Sequence, residues 1–186
     1  MLNRNGVIIQ NLLYPKHVAA GKFLYFGACS HCLELFHAYS DPVSESLRDE
    51  IYHTLNPFEY IINSEQLFLR CVSQCNRLKI PVRILFIESE NNENVWNDNQ
   101  NFTMNFLGYE YTKKNFEPNF TFYLDTKPSL ERYQRKLNKY GLFDDIAVLK
   151  EAIDEFKNVI TDLDFDDFIE DFSIIKVSQI DNVFSY

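Results

Sequence analysis

Glycine, tryptophan and basic residues are scarce in this chain of 186 residues, which has five Gly, one Trp and 18 Lys or Arg against 27 Asp or Glu. So few glycines leave no Gly-rich loop of the kind that cradles phosphate groups. The net charge of −9 argues against a nucleic-acid-binding protein, because such domains need a basic patch to displace counterions from phosphate. The same charge argues against docking on an anionic membrane.

Long apolar runs and a secretory signal are also lacking. No run of about 18 apolar residues occurs, so no segment is expected to span a membrane. The apolar stretch Val7–Tyr14 is interrupted by two polar residues and ends at Pro15, which is unlike the apolar region of a signal peptide. The four cysteines are too few for a disulfide scaffold in a chain of this length. We therefore predict a cytoplasmic protein with reduced thiols.

Aromatic residues are abundant, with 17 Phe and 11 Tyr. The hydrophobic share of 46% and the charged share of 24% are close to the averages of globular proteins. This length fits one domain, so we predict that residues 1–186 form a single globular unit. So many rings can fill a core, and they also supply anchors for a protein interface.

The pattern of caps and apolar residues predicts an α+β fold. Helices are expected to begin where a capping residue or a first-turn proline occurs, at Asp41-Pro42, Ser64, Pro128 (running to Gly141) and Asp144 or Asp145. Runs of β-branched and aromatic residues predict strands at Lys22–Gly27, Val82–Glu88, Met104–Thr112 with a bulge at Gly108, Thr121–Leu124 and Phe172–Ile180. Strict β-α-β alternation is missing, so we expect a mixed, mainly antiparallel sheet with four helices packed on it.

A CxxC motif, Cys29-Ser30-His31-Cys32, follows the first predicted strand. Thioredoxin-like redox sites have this layout, because the following helix lowers the pKa of the thiol. The usual context is incomplete, since Ala28 stands where a Trp is expected and a long polar loop follows the strand after Pro81. Thiol–disulfide exchange by Cys29 and Cys32 is therefore the alternative function, and structural thiols beside a strand end are the simpler explanation.

Metal binding and hydrolysis have weaker signals. The CxxC motif, His37 and a second pair, Cys71 and Cys75, suggest a zinc site. The second pair lies on an apolar helix stripe, so core packing explains it more simply. A Cys–His dyad that includes His37 or His53 stays open, because such groups assemble in space. We predict no cofactor, no metal and no catalytic residue outside the CxxC alternative.

The segment Asp162–Asp171 has six acidic residues in ten. Its first acidic residues match the initial spacing of a calcium loop, but Asp167 replaces the required Gly and Ser173 replaces the bidentate Glu. A solvated turn between a helix and a strand is one interpretation. The other is a recognition patch for a basic partner, in which Phe165 and Phe168 are anchors among the acids.

Several stretches resemble an uncharacterised family of bacterial proteins associated with polymorphic-toxin immunity. They are Lys22–His37, Ile80–Glu88, Phe106–Tyr111, Leu137–Phe143 and Phe172–Val177. The resemblance implies a small, acidic, cytoplasmic protein without enzymatic activity that binds and neutralises a toxin domain. Its motifs are structural, so no functional residue transfers with it.

A protein of this kind acts by occlusion and gains from fast association with a basic partner such as a nuclease domain. Aromatic anchors within an acidic rim would supply the affinity. The candidate contact residues are Trp96, Tyr109, Glu110, Tyr111, Phe116, Asp164, Phe165, Asp166, Asp167 and Phe168. Each can instead be a core residue or a solvated charge, and for Tyr109 and Tyr111 a place on a strand face is the stronger interpretation.

Overall fold

A computed structural model describes residues 2–12, 35–54, 61–90, 96, 102–113, 120, 124, 128–159 and 172–181. The fold is α+β, as predicted, with an antiparallel sheet and helices packed on it. The strands are β1 (Asn3–Asn11), β2 (Val82–Ser89), β3 (Thr103–Lys113) and β4 (Phe172–Asp181). The helices are α1 (Pro42–Thr54), α2 (Glu65–Leu78), the short α3 (Glu131–Gln134) after a 3₁₀ turn at Pro128–Leu130, and α4 (Ile146–Val159).

The four strands lie in the order β1-β2-β4-β3, and every neighbouring pair is antiparallel. β4, which is late in the chain, therefore occupies the middle of the sheet. β1 and β3 form the two edges. Glu88 and Lys176 face each other across β2 and β4 and form an ion pair.

Side chains alternate between the two faces of the sheet. Ile84 and Phe86 of β2 pack in one core cluster with Leu47 of α1 and Phe68 of α2. Ile174 of β4 packs with α4 in a second cluster. Ile174 and Ile180 are six positions apart in β4, so their side chains point to the same face of the sheet. Ile180 belongs to the first cluster. α4 therefore lies on the same face as α1 and α2, over the other end of β4.

The opposite face of the sheet has a smaller core. Leu85 and Ile87 of β2 and Val177 of β4 point to this side and pack against Leu142, with Tyr140 at the margin. The segment that precedes α4 therefore covers the face that the helices leave open. Both faces of the central strands are buried as a result.

The caps that define α1 and α2 are those expected from the sequence. The Asp41 carboxylate accepts hydrogen bonds from the backbone N–H of Ser44 at 3.3 Å and from its hydroxyl at 2.6 Å. The Ser64 hydroxyl accepts from the N–H of Leu67 at 3.3 Å. The bonds from Ser44 N–H and Leu67 N–H each satisfy a backbone donor that lacks a partner within the first helical turn.

The Asp41 carboxylate also joins α1 to α2. The Gln74 amide donates to the Ser44 hydroxyl at 2.6 Å, and the Arg77 guanidinium lies 2.6 Å from Asp41 Oδ1. The Ser44 hydroxyl holds the pKa of Asp41 below its usual 3.8, and the charge of Arg77 acts in the same direction. The charged form of Asp41 is thus the one that the folded state favours.

We predict that Asp41→Asn lowers stability more at neutral pH than in acid. Asn caps a helix as well as Asp does, but its amide nitrogen cannot accept the bond that Asp41 Oδ2 accepts from the Ser44 hydroxyl. The change of the difference with pH therefore reports the charge. A carboxyl whose folded pKa is depressed stabilises the fold above its unfolded value of 3.8, and this contribution disappears as pH falls through the lower folded pKa. Urea unfolding at about pH 7 and about pH 3 measures it. A difference between the two proteins that does not change with pH would contradict the prediction.

Both edge strands contain a glycine bulge with a capping bridge beside it. β1 shifts register between Arg4 and Gly6, and β3 shifts between Phe106 and Gly108. Beside the first bulge, Val7 exchanges two backbone hydrogen bonds with Ile62, at 2.9 and 2.8 Å. Beside the second, Tyr109 exchanges two with Phe143, at 2.7 and 3.0 Å. Bulges and short bridges of this kind limit pairing of an open edge with another chain.

The structure corrects the prediction at three places. β1 was not expected, because its polar residues hid the strand pattern. The helix predicted from Pro128 to Gly141 ends at Gln134, and Leu137 forms a bridge with Phe143 instead. Leu124 has helical geometry, where a strand was predicted. The strand predicted at Lys22–Gly27 lies outside the described residues.

Several other predictions of secondary structure and packing are confirmed. Each end of β2, β3 and β4 lies within one residue of its predicted position, and the bulge occurs at Gly108. Cys71 and Cys75 are fully buried in the core beneath α2. Asp145 caps α4 by accepting a hydrogen bond from the N–H of Ala147 at 2.7 Å. No helix in the described ranges is both long and apolar enough to cross a membrane.

Candidate functional site

Three of the predicted contact residues are in the interior. Trp96 is 3% exposed and packs edge-on against Phe68 and Phe86, with ring centroids 6.0 Å away in each case. Glu110 is completely buried, and its carboxylate accepts a hydrogen bond from the N–H of Tyr111 at 2.9 Å. Tyr111 is 6% exposed. The prediction of surface contacts is corrected for these residues, because a buried side chain cannot reach a partner.

Of the other predicted site residues, the structure describes Tyr109 alone. Tyr109 is partly buried on β3, and its ring lies 5.0 Å from that of Phe106. The interpretation of Tyr109 as a residue of a strand face is therefore confirmed. Outside the described residues lie Cys29, Cys32, Phe116, Asp164, Phe165, Asp166, Asp167 and Phe168.

Histidine positions bear on the alternative chemistry. His37 and His53 are both exposed. Within the described ranges there is no group of three or more His, Cys, Asp or Glu side chains placed to hold a metal ion. The CxxC motif itself is outside those ranges, so its redox and zinc interpretations stay predictions.

The most unusual surface in the described part of the chain is the side of α1 that faces away from α2. We call it the α1 outer face, and its exposed residues are Glu45, Ser46, Asp49, Tyr52 and His53. Tyr52 is 68% exposed. Its ring meets that of His53 edge-on at 5.9 Å. Large aromatic side chains are normally mostly buried, so this exposure marks the face.

Helical periodicity explains why these residues share one side. Leu47 and Ile51 are buried toward α2 and the sheet. Asp49 lies about 200° around the helix from Leu47, and Tyr52 follows Asp49 by three residues, which places them together. The sequence of α1 thus separates an apolar stripe from a polar stripe that contains two carboxylates and an exposed tyrosine.

The two carboxylates of the α1 outer face are available to a partner. Within the described residues, neither Glu45 nor Asp49 forms an ion pair. Arg48 borders the face and is half-buried, and it pairs with neither of them. Carboxylates without a paired cation leave a negative potential beside Tyr52 that attracts a basic surface.

The fold holds this face in a fixed position. The Asp41 network joins the start of α1 to α2, and the ion pair of Glu50 with Arg70, at 2.6 Å, joins its second half to α2. The buried Leu47 and Ile51 fix the rotation of the helix. A rigid helix presents its exposed tyrosine with little ordering cost on binding, which favours affinity.

Sequence reasoning missed this face although a signal was present. The apolar residues Leu47 and Ile51 form the buried stripe of α1, and Tyr52 lies outside it. An aromatic residue that falls off the apolar stripe of an amphipathic helix is expected to be exposed. That test picks out Tyr52 from the sequence alone.

No protein-family model, curated protein or solved structure matches the chain, so the functional interpretation is based on the α1 outer face.

Proposed function

We propose that this protein is a non-enzymatic protein-binding module of the cytoplasm, an immunity protein that binds and neutralises a basic toxin domain. The observation that carries the proposal is the exposure of Tyr52, which is 68% accessible beside the exposed Glu45 and Asp49 on a rigid helix. The partner would have a basic surface, because the carboxylates of Glu45 and Asp49 attract positive charge.

An exposed tyrosine is suited to this role. Tyrosine is enriched among the residues that dominate binding energy, and its ring has few rotatable bonds to immobilise. The hydroxyl can also form a hydrogen bond at the edge of an interface. Tyr52 would supply the central contact, and Glu45 and Asp49 would lie beside it.

The acidity supports the same proposal through kinetics. The chain has a net charge of −9, and complementary charge raises association rates by steering diffusion. A neutralising protein benefits from fast capture of its toxin. Occlusion is stoichiometric, so such a protein needs no catalytic group of its own.

We expect Tyr52→Ala to weaken binding of the toxin domain about 30-fold, which corresponds to ~2 kcal/mol for a central aromatic contact. The proposal expects that the gene directly upstream encodes a large secreted protein with a variable C-terminal toxin domain, and that purified domain is the partner to use. Calorimetric titration gives the affinity. Growth of cells that express the toxin domain together with each variant gives the biological readout.

Phe106→Ala is the matched control, because Phe106 is another exposed aromatic side chain, 46% accessible, on β3 rather than on α1. This variant should bind like the wild type. Circular dichroism of both variants checks that the fold is retained. If the two substitutions weaken binding equally, the α1 outer face is not the contact surface. If wild-type protein forms no complex, the immunity function itself is wrong.

A further inference from the structure

A cleft of about 360 Å³ lies at the end of the sheet opposite α1 and α2. One wall is the exposed side of α4, and the floor is the start of β4 with Tyr111 of β3. Glu90, directly after β2, closes one side. Its volume falls within the usual range of small-molecule sites, which is about 300–1,000 Å³.

Charges of both signs line this cleft. Lys150, Asp154 and Lys157 follow one another along one face of α4, so the two ammonium groups flank a carboxylate over roughly 10 Å of helix. Glu90 supplies a second carboxylate. Within the described residues, these four side chains form no ion pair with each other or with any other residue.

The floor of the cleft contains a phenol group without a partner. Tyr111 is 6% exposed, and its hydroxyl forms no hydrogen bond in the described part of the chain. Burial raises the pKa of Tyr111, and the charge of Glu90 raises it further. The phenol therefore keeps its proton and can donate it. Solvent reaches this hydroxyl, so a ligand in the cleft can accept its hydrogen bond.

Apolar surface lies between the charges. Ile153 of α4 and Ile174 and Phe172 of β4 complete the lining. A ligand that fits must therefore have a short apolar body and must carry both a positive and a negative group. A simple anion would meet two carboxylates, and a simple cation would meet two ammonium groups.

We infer that this cleft is a binding site for a small zwitterion, an amino acid or a short peptide. The ligand carboxylate would lie between a lysine of α4 and the Tyr111 hydroxyl. Its ammonium group would lie between Asp154 and Glu90, and its apolar part would cover Ile174. This site is separate from the α1 outer face and does not depend on the proposed immunity function.

Nuclear magnetic resonance titration of the full-length protein tests the inference. The probes are L-leucine and the dipeptide Leu-Leu, compared with acetate and methylammonium, which carry one charge each. Both zwitterions should cause saturable shifts of the backbone amides of Ser173 and Ile174. The single-charge probes should bind about tenfold more weakly or not at all, because each lacks one charge-assisted contact. Tighter binding of the dipeptide would identify a peptide as the natural ligand, and tighter binding of leucine a free amino acid.

Two variants link the binding to the cleft. Asp154→Asn and Tyr111→Phe keep the shapes of their side chains and should each weaken L-leucine binding about tenfold. Lys139→Gln removes an exposed charge outside the cleft and should have no effect. The inference is overturned if neither zwitterion shifts these amides, if acetate binds as well as leucine, or if the cleft variants bind like the control. None of these results depends on a toxin domain, so they leave the proposed function untouched.

Discussion

Replacement of Trp96 by Ala is expected to lower the free energy of unfolding by about 3–5 kcal/mol, as for other large aromatic side chains removed from cores. The indole lies between Phe68 and Phe86, and its backbone N–H donates to the carbonyl of Arg4 at 2.7 Å. Truncation would leave a cavity between α2 and the sheet. A loss of this size is a large part of the stability of a typical domain.

Urea unfolding followed by circular dichroism measures the effect of Trp96→Ala, since the variant has no tryptophan fluorescence. Trp96→Phe is the control, because a smaller ring retains much of the packing and should cost roughly half as much or less. A change below about 1 kcal/mol in the Ala variant would show that the indole is not packed in the core. The same variant separates packing from binding, because a partner anchor on the surface would affect affinity and leave stability intact.

Gly108→Ala is expected to destabilise the protein by about 2–4 kcal/mol, through backbone strain and a collision. Gly108 has a φ of +144°, which side chains rarely adopt. A Cβ atom there would lie 2.6 Å from Cβ of Leu142 and 3.0 Å from the carbonyl oxygen of Phe143. Neither atom is the flexible end of a side chain, so relief requires that the bridge between Tyr109 and Phe143 opens.

Thermal and urea unfolding of Gly108→Ala give the cost, and amide hydrogen exchange at Tyr109 and Phe143 reports on the bridge. Gly6→Ala should behave alike, because its Cβ would lie 2.4 Å from the carbonyl oxygen of Ile62. Thr103→Ala is the control, since Thr103 is exposed on the same strand and this change should cost about 1 kcal/mol or less. Equal stability of Gly108→Ala and the wild type would contradict the assignment of the bulge.

The parts of the fold that the sequence predicts are those decided by neighbouring residues. Asp41 and Ser64 cap α1 and α2 because a capping side chain reaches a backbone N–H three residues away. The β-branched and aromatic run of β2 predicts a buried strand in the same local way. Such signals need no knowledge of the rest of the chain.

The parts that it does not predict depend on distant contacts. Asn138 accepts from the N–H groups of Tyr140 and Leu142 and donates to the carbonyl of Leu107 at 2.7 Å. This network forms a turn where a helix pattern continues, because a side chain that satisfies the backbone competes with the helix. β1 similarly becomes a strand through pairing with β2, a partner more than seventy positions away in the sequence.

The candidate sites show the same division. Trp96, Glu110 and Tyr111 are residue types that often occur in interfaces. Whether such side chains are buried depends on how the whole sheet packs with its helices. Helical periodicity predicts the exposure of Tyr52, because exposure on a helix follows from the position of the apolar stripe. The sequence does not predict the cleft, since Glu90, Tyr111 and Lys150 come together only in the folded chain.

Because β4 lies between β2 and β3, the sheet cannot be completed until the strand at 172–181 has left the ribosome. During synthesis β3 emerges about sixty residues before its hydrogen-bonding partner, and it carries Tyr109 and Tyr111 without a strand to cover them. Exposed aromatic strands of this kind are the species that chaperones bind and that aggregate. A ribosome that stops before residue 172 would therefore release a chain without β4. In that chain β1 and β2 can pair, but β3 has no neighbouring strand.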